Sequence, residues 1–238
     1  LKGAGRGADC VLITDGRYMD QATAQTSNHG FACEIVETKA SSQMVEAVSS
    51  RHRGPIKVRA ADLDYAIALN LIEAGMDIRD DGQTIADCRR VKDSYELEAI
   101  AKAADIADRA LSESLDLLER GASERDLRDE LEYRMRRLGA DGPSYDTIVA
   151  SGPENSARPH HQAERRELQP GDAVVIDVGA LLDGYHSDMT RTVFVGDPSP
   201  ELERLYWVVH SAQAAGLVAV RSGADGARVD AACRAIFE

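Results

Sequence analysis

The strongest constraint on what this chain can fold into is the run from Ala173 to Val195, in which two apolar, β-branched segments flank Asp183-Gly184. Asp-Gly between such segments signals a β-hairpin with a two-residue turn. With Asp183 and Gly184 in the turn, Leu182 faces Tyr185, Asp177 faces Thr190 and Asp188 faces Gly179. Side chains alternate with period two, so Asp177, Gly179, Asp188 and Thr190 share one face. The two carboxylates are then diagonal neighbours, about 7–8 Å apart at the backbone and closer at their oxygens, near enough to share a bound cation.

Burial decides what such a pair is for. Val174, Ile176 and Val178 occupy one face, and Val175 and Phe194 accompany the aspartates on the other, so the pattern predicts a hairpin covered on both sides. Two ionised carboxylates there would repel each other and lose their hydration. They are tolerable if they share a proton, meet an Arg, or coordinate a metal. Oxygen donors favour Mg, Mn or another hard divalent ion over copper. The bland reading of a lone Asp is an ion pair or a turn cap, and Arg191 is the partner available to Asp188.

Upstream, a short strand from Ile148 runs into Gly152-Pro153 and then Arg158-Pro159-His160-His161, a stiff approach to a histidine pair. On its own such a pair reads as surface or capped-loop histidine. His161 and His186 carry no role that the sequence assigns. His210 falls at helical spacing from Tyr206 and Ala214 and reads as a packing residue.

The rest of the chain supplies the frame. Strands near 10–14, 31–37 and 56–58 alternate with helices near 17–25, 42–50 and 62–74, which predicts an α/β layer with a largely parallel sheet. Gly3, Gly5 and Gly7 follow no strand and lack a complete phosphate-loop pattern, so they read as a leading loop. A boundary falls between Asp80 and Lys92, giving an α/β domain over 1–85 and a second domain over 90–238. There Asp93 with Glu96 forms a capping box, and Leu97, Ile100, Ala104, Ala107, Leu111, Leu115 and Leu118 predict the buried stripe of a helix ended by Gly121. Ser123 with Asp126 opens a second helix carried on Leu127, Leu131, Met135 and Leu138, and the charged residues between these positions read as solvated faces. After Val195 an amphipathic helix is predicted over 201–221, and a last one begins near Arg228 and runs to the end of the chain. Two helices followed by an antiparallel hairpin give this part α+β character.

Composition excludes other classes. Acidic residues outnumber basic ones 41 to 28, a net charge of -13 that argues against a nucleic-acid or anionic-membrane partner. Cys10, Cys33, Cys88 and Cys233 are scattered without a Cys-x-x-Cys pair, so neither a zinc knuckle nor a disulfide framework is indicated, and a reducing, cytoplasmic setting is expected. There is no membrane-spanning run and no signal peptide pattern, although the first residue is Leu1 rather than Met.

Ile176-Asp177-Val178-Gly179-Ala180 followed by Tyr185-His186-Ser187-Asp188-Met189-Thr190-Arg191-Thr192 closely resembles the paired-aspartate motif of the Xaa-Pro peptidases, the aminopeptidase P and prolidase branch of the M24, creatinase and methionine-aminopeptidase superfamily. The resemblance implies an α/β amino-terminal domain and an α+β "pita-bread" catalytic domain, with the chain short of the family at both ends. It implies that Asp177 and Asp188 are the first two of five ligands to two divalent ions, most simply Mn, with Co or Zn as alternatives. It also implies that His160 reaches the substrate and the tetrahedral intermediate, and that the substrate is a proline-containing peptide. The remaining ligands of the family, a His and two Glu, have no counterpart here. A non-catalytic binding module on the same fold is the second reading, disfavoured by retention of both aspartates. Creatine hydrolysis is disfavoured because that branch works without the metal ligands. Monomer and homodimer are both compatible with the sequence.

Overall fold

The structure is a computed structural model and describes residues 10–28, 32–52 and 54–237. The chain falls into two compact units, Leu1–Lys92 and Asp93–Glu238. The Gly3 to Gly7 loop lies outside the described residues.

In the first unit β1 (Val11–Thr14) leads through a 3-10 turn capped by Asp15 into α1 (Met19–Asn28), then β2 (Glu34–Glu37) and α2 (Ser41–Arg51). The pattern repeats as β3 (Pro55–Val58), α3 (Tyr65–Glu73), β4 (Asp77–Asp80) and α4 (Gly82–Arg90). Both pairings are parallel, as the alternation of strands and helices predicts. Among the described residues they form two separate two-stranded ladders, β1 with β2 and β3 with β4, rather than one continuous sheet. The sequence reading misses β4 and α4. Asp77, Arg79 and Asp80 leave Ile78 as the single apolar residue of β4, so no period-two signal exists there. The core of this unit is thin, with Ala22, Val45, Ala47 and Leu71 as its buried apolar residues among those described.

The second unit opens with α5 (Ser94–Ser114), whose capping box of Asp93 and Glu96 is present, continued by a 3-10 turn over Leu115–Glu119. The buried stripe is Ala99, Ala103, Ile106, Ala107, Ala110, Leu111 and Ser114, with Leu118 buried in the turn that follows, so Ala107, Leu111 and Leu118 of the expected stripe are inside and the rest of it is not. Leu97 and Leu115 are exposed, because it is the alanines whose small side chains let the helix lie closely on its neighbours. Next comes α6 (Glu124–Arg137), capped by Ser123 with Asp126 and burying Leu127, Leu131 and Met135 completely. Truncating any of these three to Ala would cost about 2–5 kcal/mol by the usual behaviour of fully buried side chains.

The strands follow as β5 (Gly142–Pro143), β6 (Ile148–Ser151), the single-turn α7 (Gly152–Asn155), β7 (Ala173–Val178), β8 (Ala180–Leu182), β9 (Tyr185–His186) and β10 (Met189–Phe194). Two antiparallel three-stranded sheets result, ordered β10-β7-β6 and β5-β8-β9. The hairpin register is the expected one throughout, with Leu182 opposite Tyr185 and Asp177 opposite Thr190. Asp183 and Gly184 both take positive φ, 51° and 79°, the signature of a type I′ turn. What the register does not reveal is that one hairpin serves two sheets, changing over between Val178 and Ala180. Gly179 permits the change: a Cβ there would stand 2.0 Å from the Ser187 carbonyl oxygen, so only glycine fits.

The chain ends in α8 (Pro200–Ala219) and α9 (Gly226–Arg234). Helix α9 closes at Arg234 instead of continuing, with Ala235 as its cap. Among the described residues no helix is long and apolar enough to cross a membrane. Helix α8 buries only Ala212 and Gly216, while Leu217 is 68% and Val218 79% exposed; Trp207 and Val218 lie on the side away from the buried residues, so the apolar residues do not gather on the single face expected. His210 is exposed and stacks on Tyr206 of the same helix.

Candidate functional site

The aspartate face of the hairpin borders a cleft of about 810 Å³ whose walls include Tyr145, His160, Asp177, Asp188, Arg125 and Arg128. Asp177 is held by β7, whose opposite face, Val174, Ile176 and Val178, is sealed in the core. Asp188 stands immediately before β10, just past the Gly179 changeover. Both carboxylates converge on one phenol: Tyr145 Oη lies 2.6 Å from Asp177 Oδ1 and 3.1 Å from Asp188 Oδ1. A phenol has a single proton to donate, shared unequally in favour of Asp177. Burial raises the Tyr145 hydroxyl above its ordinary range, and the two carboxylates it faces raise it further.

The expectation of a face covered on both sides is overturned here. Asp177 is only half-buried and Asp188 is exposed, because none of the described residues packs over them as the core packs under them. The ion-pair reading of Asp188 also fails, since Arg191 reaches toward Asp108 at 3.9 Å and donates to the Thr190 carbonyl.

The two histidines part company. His160 is exposed at the cleft with φ of 54°, the left-handed region that His tolerates better than most residues. His161 is buried, its Nε2 2.8 Å from Glu124 Oε2. Glu124 itself is fully buried, contrary to the expectation of a solvated helix face. Its Oε1 accepts from Ser151 N at 2.8 Å, Ser151 Oγ at 2.7 Å and Asn155 Nδ2 at 2.9 Å, and its Oε2 accepts from Glu164 N at 3.0 Å. Burial pushes this carboxyl upward, but the hydrogen bonds from Ser151, His161, Asn155 and Glu164 outweigh it and hold it down at about 2. Arg166 extends the network, donating to Ser151 Oγ at 2.7 Å and pairing with Asp172. Gly152, at φ of 69°, makes room: a Cβ there would meet Arg166 Nη2 at 2.6 Å.

Tyr145 and Glu124 are the residues that sequence reasoning misses. Tyr145 carries no motif of its own beside the aspartates. Glu124, in the first turn of α6 beside a capping box, resembles any acid that complements a helix dipole.

Two carboxylates and a phenol oxygen on one open face are hard ligands suited to a divalent cation. Among the described residues, however, no group of three or more His, Cys, Asp or Glu converges. Asp177 and Asp188 therefore fit one edge of a metal centre and do not by themselves make a dinuclear one.

The sequence pattern of metallopeptidase family M24 matches residues 98–238. The chain belongs to this family. The metallopeptidases of M24 use divalent metals. It is 36% identical over 233 residues to the uncharacterised peptidase YqhT of Bacillus subtilis, covering 96% of this chain and 64% of that protein. It is 39% identical over 154 residues to an Xaa-Pro dipeptidase of Pyrococcus furiosus, covering 65% of this chain and 44% of that one. Among solved structures, an X-Pro aminopeptidase from Thermotoga maritima superposes with a TM-score of 0.85 at 31% identity, covering 95% of this chain and 64% of that chain. The prolidase from Pyrococcus furiosus gives 0.84 at 30% identity, covering 95% and 65%. The fold is thus that of the prolidases and X-Pro aminopeptidases, with part of their pita-bread catalytic domain, and this M24 chain spans less than two thirds of the length of these relatives.

Proposed function

We propose that this M24 protein hydrolyses the peptide bond preceding proline, as an Xaa-Pro dipeptidase or aminopeptidase. The observation that carries the reading is the convergence of Asp177 and Asp188 on Tyr145 in an open cleft shared with His160. The relatives named Xaa-Pro dipeptidase and X-Pro aminopeptidase support the substrate class.

In this reading Asp177 and Asp188 hold a divalent metal, with Mn the first choice and Co or Zn next. When bound, the metal supplies an activated water and a positive charge for the developing oxyanion. The chain's own residues do the rest. Tyr145 orients the two carboxylates before any cation arrives and lessens their mutual repulsion. His160, exposed at the cleft, offers a ring N–H to the substrate carbonyl or the tetrahedral intermediate. The buried Glu124–His161 pair anchors the residue next to it, so the left-handed turn that aims His160 is fixed from behind. The protein is read as acting in solution, alone or as a homodimer, in the cytoplasm.

The test is hydrolysis of Ala-Pro with Mn added, on the 238 residues and on the same chain continued to the length of its relatives. With two carboxylate donors, the 238 residues are expected to bind Mn weakly and leave Ala-Pro intact. The longer chain is expected to cleave it and to lose cleavage in Asp177→Asn and Asp188→Asn. Equal rates on Ala-Pro and Ala-Ala would remove the proline specificity, and full activity of either Asn variant would remove the metal assignment.

A further inference from the structure

The four cysteines look unrelated in sequence, yet two of them meet. Cys10 directly precedes β1 and Cys33 directly precedes β2, and the parallel register that sets Val11 opposite Glu34 brings them side by side. The Glu34 amide donates to the Cys10 carbonyl at 2.9 Å, fixing the backbones at that point. Across this ladder the Cys33 Sγ lies 3.2 Å from the Cys10 Sγ and donates its proton to it. Cys10 is exposed and Cys33 half-exposed, and both are free thiols.

We propose that Cys10 and Cys33 are a dithiol oxidation site, closed to a disulfide by a hydroperoxide and reopened by a dithiol reductant. A disulfide needs the sulfurs at about 2.05 Å and the Cα atoms about 4.4–6.8 Å apart. Neighbouring strands stand about 4.8 Å apart, so closure asks for about 1 Å of sulfur movement, within reach of a χ1 adjustment, and no backbone rearrangement. The S–H···S bond to Cys10, and then desolvation, push the Cys33 thiol above its ordinary value, so it stays protonated and acts as the donor. Cys10, exposed and accepting that bond, is the sulfur that meets the oxidant.

The chemistry balances without any group from the metal site. Cys10 sulfur attacks the distal oxygen of the peroxide, the O–O bond breaks, and sulfenic acid and water form. Cys33 sulfur then attacks the sulfenic sulfur, the S–O bond breaks, and a second water leaves. Two thiols are oxidised by two electrons and one hydrogen peroxide is reduced to two waters. The product staples β1 to β2 and closes the loop that carries α1. Neither Cys88 nor Cys233 is drawn into it, because no thiol lies beside either among the described residues.

The experiment uses the chain as it stands. After brief treatment with hydrogen peroxide at neutral pH, intact mass should fall by about 2 Da, the loss of two hydrogens. Proteolytic mapping should join the peptide holding Cys10 to the one holding Cys33, with Cys88 and Cys233 still open to alkylation. In concentrated urea the joining should slow at least tenfold, because the fold no longer holds the sulfurs together. In Cys33→Ser, Cys10 should stop at the sulfenic acid and take up dimedone. Recovery of Cys10 and Cys33 unjoined, as sulfinic or sulfonic acids, would overturn the proposal. So would equal joining rates with and without urea, or a Cys33→Ser chain, folded by circular dichroism, whose Cys10 takes no dimedone.

Discussion

Glu124 and the Asp177–Asp188 pair are carboxylate sites in the same compact unit, and the protein treats them in opposite ways. Glu124 is fully buried and receives five hydrogen bonds, from Ser151 N and Oγ, Asn155, His161 and Glu164. Asp177 and Asp188 share one phenolic proton and open onto a cleft. A carboxylate needs partners for about four lone-pair directions. Glu124 finds all of its partners within the protein, and so it is architecture. The aspartates are left with acceptor capacity facing a cavity, and that surplus is what makes them a site. The lesson is that satisfaction, rather than burial or charge alone, separates a structural acid from a functional one.

The contrast can be broken most sharply at Glu124. Glu124→Ala leaves His161, Asn155 and the Ser151 amide without an acceptor in the interior, and should cost about 3–5 kcal/mol in urea unfolding. A loss under about 1 kcal/mol would show that the network relaxes onto water and that the contrast is false. Glu124→Gln keeps one acceptor and should cost less.

Acid gives the next largest effect. Glu124 titrates at about 2 in the folded chain against 4.5 ordinarily. A depressed folded value means the stabilisation is fully present above about 4.5 and is lost as pH falls toward 2, a span of about 3 kcal/mol. Arg166 faces the same carboxylate, and its positive charge delays protonation further. The slope of stability between about pH 5 and pH 2 should flatten in Glu124→Gln; an unchanged slope would place the acid sensitivity elsewhere.

At the other site the expected changes are in binding rather than folding. Asp177→Asn and Asp188→Asn should each weaken Mn binding by about tenfold or more in calorimetric titration, with little change in thermal midpoint. A folded Glu124 variant should bind Mn as the parent does. The smallest effect belongs to Tyr145→Phe, expected to lower metal-free stability by about 1 kcal/mol. Saturating Mn should abolish that difference, since the cation then takes over the role of the shared proton.

How much of this was legible beforehand follows from the reach of each signal. The hairpin register, its I′ turn and the alignment of Asp177 with Thr190 are local, dictated by Asp183-Gly184 and strict alternation. The caps at Asp93 and Ser123 were legible for the same reason. The stripe of α5 is legible only in part: Ala107, Leu111 and Leu118 are inside as their spacing predicts, but Ala99, Ala103 and Ala110 make the close approach in place of Leu97 and Leu115. Tyr145 lies 43 residues from Asp188, and the donors to Glu124 lie 27 to 40 residues away. No periodicity spans such distances, and the same holds for Cys10 and Cys33 across a parallel ladder. The open aspartate face escaped because alternation tells which side chains share a face and says nothing about what covers it.

The five donors around Glu124 also set an order of events. None of them is a near neighbour in sequence: they come from the end of β6, from α7 and from the loop that holds His161 and Glu164. Until all of these segments have closed, the carboxylate does better in water than in a half-built pocket. It must therefore be among the last groups to lose its hydration as the chain folds. Substitutions at Glu124 should then speed unfolding while leaving the folding rate nearly untouched, a shift confined to the unfolding arm of a chevron and a φ-value near zero. A φ-value near one would mean that the loop bearing His160 is tied down early, before the sheet it serves exists.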